Sequence, residues 1–161
     1  MRAIQRTVHL VITSSAVIGG ILVVLACMAV IYEIIARYGF NAPTTWSIDV
    51  TVLFVTWATL LAGAYALREQ GHVAVDVVTR RLPPAMHRMV SALVYLAVAA
   101  FAAVIAWSAG FACWEAYQYG EIMMSVVRIP MYVPLLALVV GPILILLQAL
   151  LLAFNCAPGN R

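Results

Sequence analysis

Three histidines, three cysteines and six carboxylates are the side chains from which this 161-residue chain could build chemistry. Their spacing argues against most of it. A membrane cytochrome grips its iron between histidines on facing helices. Here His9 opens an apolar run while His72 and His87 share one polar stretch, so no cofactor is expected. Cys27, Cys113 and Cys156 are widely separated, lie among apolar residues and form no C-x-x-C pair. That pattern speaks against a disulfide framework or thiol redox chemistry. With no G-x-S-x-G, no H-E-x-x-H and no glycine loop to cradle phosphate, neither an enzyme nor a metal site is expected.

The carboxylates carry more information. Glu33 precedes Arg37 by four residues, the order that suits a salt bridge along one helix face. Asp49 lies one turn inside the next apolar run, near the positive end of a helix dipole, where a carboxylate costs least. Both fall near the same end of the molecule, and Arg37 is placed to meet both. An ion-coupled carrier usually holds an ionisable group near the middle of the membrane. The centres of the long apolar runs hold none, which leaves Glu33 as the sole candidate for such a role.

The elements that must position these groups follow from composition. The chain is 66% hydrophobic and 9% charged, with a mean hydropathy of +1.06, against about 45–50% and about 25% for a soluble domain. Nine arginines and six carboxylates cannot cover a water-facing surface of this size. A soluble enzyme, a nucleic-acid binder and a disordered chain are therefore excluded. The net charge of +3 fits orientation charges on cytoplasmic connections, with no nucleic-acid partner expected. A helical span needs about 20 apolar residues, whereas barrel strands alternate over about 10. The long continuous runs predict an all-α integral membrane protein, a single domain over 1–161 with four transmembrane helices and membrane lipids around them.

The spans are expected at 10–36, 46–67, 89–112 and 129–154. The first is too long for a signal-peptide core of about 7–15 residues and reads as an uncleaved span. A turn follows over 39–45, where Pro43 fixes φ, and Trp46 opens the second span at the membrane interface. The polar connection 68–88 holds a short amphipathic stretch, 73–82, with Val75, Val78 and Leu82 on one side and Pro83-Pro84 as its stop. It is expected as a separate short cytoplasmic helix lying in the membrane surface. Small residues form stripes in span three (Ala99, Ala103, Ala106, Gly110) and span two (Thr59, Ala62, Gly63, Ala66), which allow close helix approach. Pro130 and Pro134 stand near the start of span four, and Pro142 is expected to kink it. Tyr32, Tyr38, Trp46, Trp114, Tyr117, Tyr119 and Tyr132 form an interfacial belt. An N-in, C-in topology places seven arginines inside and two, Arg37 and Arg128, outside.

From the end of span one onward, short motifs follow one another in order. They are Arg37-Tyr38, Trp46-Ser47-Ile48-Asp49, then Trp57 with Leu60-Leu61-Ala62-Gly63-Ala64 and Arg68. Gly71-His72-Val73-Ala74-Val75-Asp76, Leu82-Pro83, Ile129-Pro130 and Pro134 complete the series. This series resembles the small membrane subunit of the tripartite ATP-independent periplasmic (TRAP) transporters over about residues 30–145. In that family an Arg-Tyr pair ends span one, W-s-x-E opens span two and H-i-x-V-D follows it. One departure is that Asp49 stands where the family's motif has Glu, which keeps the charge and shortens the reach.

The resemblance implies a non-enzymatic small permease subunit of a secondary transporter, a sodium symporter, in the bacterial inner membrane. A large TRAP membrane subunit would carry the sodium and substrate sites. A periplasmic substrate-binding protein would deliver an organic acid such as a dicarboxylate or sialic acid. The small subunit would then be a scaffold that enlarges the static part. Glu33, Arg37, Trp46, Asp49, Gly63, Arg68, His72 and Asp76 are the structural and interface candidates. Two rivals are a stand-alone small multidrug-type carrier acting as a homodimer through Glu33, and a membrane anchor of a redox enzyme.

Overall fold

The computed structural model describes the backbone of residues 2–79, 84–123, 125 and 127–156, and their side chains except at 2–5, 70–79, 84, 85, 87, 88, 155 and 156. Four helices make up nearly all of it: α1 (Arg2–Gly39), α2 (Ser47–Thr79), α3 (Pro84–Gln118) and α4 (Tyr132–Cys156). Each contains a stretch long and apolar enough to cross a membrane: Arg6–Gly39, Ser47–Glu69, Met89–Gln118 and Tyr132–Phe154. The four expected spans are thus present, and among the described residues there is no strand beyond one isolated bridge.

The helix ends differ from expectation for identifiable reasons. Arg68, Glu69 and Gln70 are good helix formers, and a lone Gly71 costs a helix only about 1 kcal/mol. Consequently α2 does not stop at Leu67 but continues to Thr79. The expected separate helix over 73–82 is therefore corrected: its first seven residues are the end of α2, and 80–82 and the Pro83 stop lie outside the described residues. Pro84 starts α3, a first-turn position where the missing N–H is not needed.

At the far end α3 runs on to Gln118 and closes where Gly120 turns left-handed at φ 61°. The Glu121 N–H donates to the Ala116 carbonyl and the Gly120 N–H to that of Tyr117, the pair of bonds that defines a Schellman cap. Span four begins at Tyr132 rather than Ile129. Ile129 and Pro130 belong instead to a strap over 121–131, in which Ile122 bridges Pro130 antiparallel. Pro142 lies inside α4 without ending it.

Two helical hairpins result, α1 with α2 and α3 with α4, and they join mainly through α2 against α4. Among the described residues α2 and α3 barely touch, and α1 and α3 do not meet. The small core is Ile12, Leu61, Ala64 and Leu144, with Trp57, Tyr65 and Ile145 packed against it. Glycines permit close crossings. A Cβ on Gly19 would lie 3.0 Å from the Ala58 carbonyl oxygen, and one on Gly141 would lie 2.8 Å from Leu60 Cβ and 2.9 Å from its carbonyl oxygen.

On α3 the face turned inward carries Tyr95, Ala99, Ala102, Ala109 and Ala116, all buried. Ala102, Ala109 and Ala116 repeat every seven residues, the period of a helix seam. The expected stripe is thus corrected in part: Ala99 is in the interface, Ala103 is exposed, and nothing lies within 4 Å of a Cβ placed on Gly110. The outward faces are apolar, for example Val17, Ile21 and Val24 on α1 and Leu93, Phe101 and Phe111 on α3. In lipid such faces lose nothing by staying unpacked against protein.

Candidate functional site

The charged groups among the described residues gather toward the two ends of the apolar spans. At the end formed by the 40–46 connection, Glu33 is 8% exposed, and its carboxylate is fully engaged. Arg37 Nε and Nη2 donate to Glu33 Oε1 at 3.1 and 2.6 Å. The Thr44 N–H donates to Oε2 at 3.0 Å. One buried carboxylate therefore ties the last turns of α1 to the connection that follows. Asn41 turns the chain there with φ 55°, in the left-handed region that asparagine tolerates. The Ala42 N–H then donates to the Ala36 carbonyl at 3.0 Å.

Trp46 and Ser47 continue the link into α2. The Trp46 ring lies 5.7 Å from that of Tyr32, centroid to centroid. Ser47 is buried, and its hydroxyl donates to the Ala29 carbonyl on α1 across 3.4 Å.

Asp49 corrects an expectation. It makes no ion pair with Arg37; the Val127 N–H, in the strap before α4, donates to Asp49 Oδ2 at 3.3 Å. The two carboxylates thus act alike, each holding a backbone N–H of a different connection. No spacing rule could have found the second contact, because 78 positions separate its partners.

Arg68 serves the opposite end. Its Nη1 donates to Thr13 Oγ1 at 3.1 Å, joining α2 to α1, and its Nε and Nη2 donate to Glu69 Oε1. The guanidinium also lies 4.8 Å over the Tyr65 ring, a cation–π contact. Gly63 admits the Ile145 side chain of α4, whose Cδ1 would lie 3.1 Å from an added Cβ. His72 and Asp76 stand on the α2 backbone, and their side chains lie outside the described residues. The glycines at 19 and 141 were not among the sequence candidates.

Chemically this arrangement fastens helices and connections. Among the described residues no three His, Cys, Asp or Glu side chains come together as a metal site requires. The described ion pairs lie toward the ends of the apolar spans, with no charge at the span centres.

Residues 26–159 match the model of the "Tripartite ATP-independent periplasmic transporters, DctQ component". The chain belongs to this DctQ family. It is a transporter-subunit family, so this DctQ chain is not an enzyme, and its four apolar helices make it a multi-pass membrane protein.

Among similar proteins, the C4-dicarboxylate TRAP transporter small permease protein DctQ of Vibrio cholerae is 23% identical over 150 residues, covering 80% of this chain and 64% of its own length. The sialic acid TRAP transporter permease protein SiaT of Haemophilus influenzae is 28% identical over 81 residues, covering 50% of this chain and 13% of its own. The chain therefore spans less than two thirds of either relative. No solved structure matches it.

Proposed function

We propose that this DctQ-family chain is the scaffold subunit of a sodium-coupled importer of an organic acid in a bacterial inner membrane. The observation that carries the reading is the family match over 26–159. The span centres are in keeping with it: they lack the ionisable groups that an ion-coupled site uses, as a subunit that leaves sodium and substrate to a large membrane subunit would. Both named relatives have carboxylic acids in their names, a C4-dicarboxylate and sialic acid, in keeping with an organic-acid substrate.

In this reading the termini and Arg68 are cytoplasmic, as the arginine distribution favours. The amphipathic sequence over 73–82 braces the complex at that surface. The Glu33, Arg37 and Asp49 end faces the periplasm, where it supports docking of a binding protein. The small residues left uncovered, Thr59 and Ala66 on α2 and Ala103 on α3, offer close approach to helices of the large subunit.

Reconstitution tests the reading. Proteoliposomes holding this chain with the large subunit, supplied with the binding protein, should take up labelled organic acid down a sodium gradient. Removing this chain should abolish uptake. Undiminished uptake without it, or uptake by this chain alone, would overturn the proposal.

A further inference from the structure

The two hairpins meet along α2 and α4, and Gly141 against Leu60 is a close approach between them. From there to the first residue of α4 is nine residues, and to that of α2 thirteen, or about 14–20 Å of helix at about 1.5 Å per residue. Packing at that crossing alone leaves the two hairpins free to rock over such a lever. A fastening near the helix starts would prevent it, and Asp49 in the first turn of α2 is placed to supply one.

The strap that Asp49 holds is tied together by hydrogen bonds among its described residues. The Met131 N–H donates to the Glu121 carbonyl at 2.9 Å, and the Met123 N–H to the Ile129 carbonyl at 3.0 Å. The Ser125 hydroxyl donates to the Val127 carbonyl at 2.6 Å. One end of the strap is fixed to α3 through the Gly120 cap, and the other runs directly into α4 at Tyr132. Whatever holds Val127 therefore holds the α3–α4 hairpin. On the other side, Ser47 joins the start of α2 to Ala29 of α1.

We propose that the Asp49 carboxylate is a clasp that fixes the two helical hairpins in one relative position, acting as a positioning residue through the Val127 N–H. The charge of the acceptor matters because a hydrogen bond to a carboxylate is about twice as strong as a neutral one. Asp49 also gains from the α2 dipole, so the clasp does not need an arginine partner.

The test uses the full chain in lipid nanodiscs, with Cys27, Cys113 and Cys156 replaced by serine and spin labels at Phe40→Cys and Tyr119→Cys. Both labelled positions are exposed, one on each hairpin. The label-to-label distance should be narrowly distributed with Asp49 present and clearly broadened in Asp49→Leu. Amide exchange of the peptide covering 121–131 should become about tenfold faster, the loss expected for one hydrogen bond to a charged acceptor. Asp49→Asn, which keeps an acceptor oxygen but not its charge, should fall between the two, with about half of the lost protection recovered. An unchanged distance and exchange in Asp49→Leu would overturn the clasp. So would faster exchange spreading equally to the Ile12 and Leu61 core, since Asp49 would then be a general folding residue.

Discussion

Replacing Gly141 with valine is expected to separate α2 from α4 and to lower the stability of the folded chain more than any other single change at a helix crossing. Even a bare Cβ would lie 2.8 Å from Leu60 Cβ and 2.9 Å from its carbonyl oxygen, and the oxygen belongs to helix backbone that cannot swing aside. Two effects compete. Alanine is favoured over glycine inside a helix by about 0.5–1 kcal/mol, whereas forcing atoms into a packed contact costs about 1–3 kcal/mol. The clash wins for Gly141→Ala, and valine adds two more carbons to it. Gly20→Ala is the control, because nothing lies within 4 Å of its added carbon. Thermal unfolding in a mild detergent should show a large drop for Gly141→Val, a smaller one for Gly141→Ala and none for Gly20→Ala. Equal melting temperatures for all three would mean that α2 and α4 are not held at this point.

Glu33 carries the second large effect. Glu33→Ala deprives Arg37 of its partner and the Thr44 N–H of its acceptor in one step. Removing one member of a buried ion pair costs about 3–5 kcal/mol. The Arg37 side chain is 48% exposed, so water screens the loss and about 1–3 kcal/mol is expected. Glu33→Gln keeps an oxygen for Thr44 but turns an amide NH2 toward Arg37, and it should fall below that. Arg37→Ala leaves the buried Glu33 carboxylate with the Thr44 N–H but no cation, and about 1–3 kcal/mol is expected here too, with reduced assembly as its visible effect. Melting temperatures of the three variants would check these expectations. A neutral Glu33→Ala would show that the connection after α1 is held by something else, such as the Trp46–Tyr32 contact.

Much of this framework is legible in the sequence, for reasons that also mark where legibility ends. The spans declare themselves because a helix in lipid needs a long apolar run. Glu33 and Arg37 declare themselves because i and i+4 share a helix face. The ends of α3 are less legible: the expected span stops at 112 although the helix runs on to the Gly120 cap, and Pro84, expected as part of a stop, starts α3. Other features depend on tertiary contact. Gly141 and Gly110 look alike in sequence, yet one abuts a backbone and the other faces open space. Likewise, the side of α3 that packs is marked by the seven-residue repeat of Ala102, Ala109 and Ala116, a longer period than the small-residue stripe that includes Ala103 and Gly110. Asp49 was expected beside Arg37 because both lie at one end of the bundle. The strap before α4, folded back by its own hydrogen bonds, reaches Asp49 instead.

The central claim, a scaffold that serves a larger transporter, is tested most directly by what the chain holds on to in the membrane. The chain would be tagged, expressed with its neighbouring genes, solubilised gently and purified, and its companions identified by mass spectrometry. The account predicts a stoichiometric, far larger membrane protein with many spans. A clean homodimer that moves a solute in liposomes without any other subunit would contradict it.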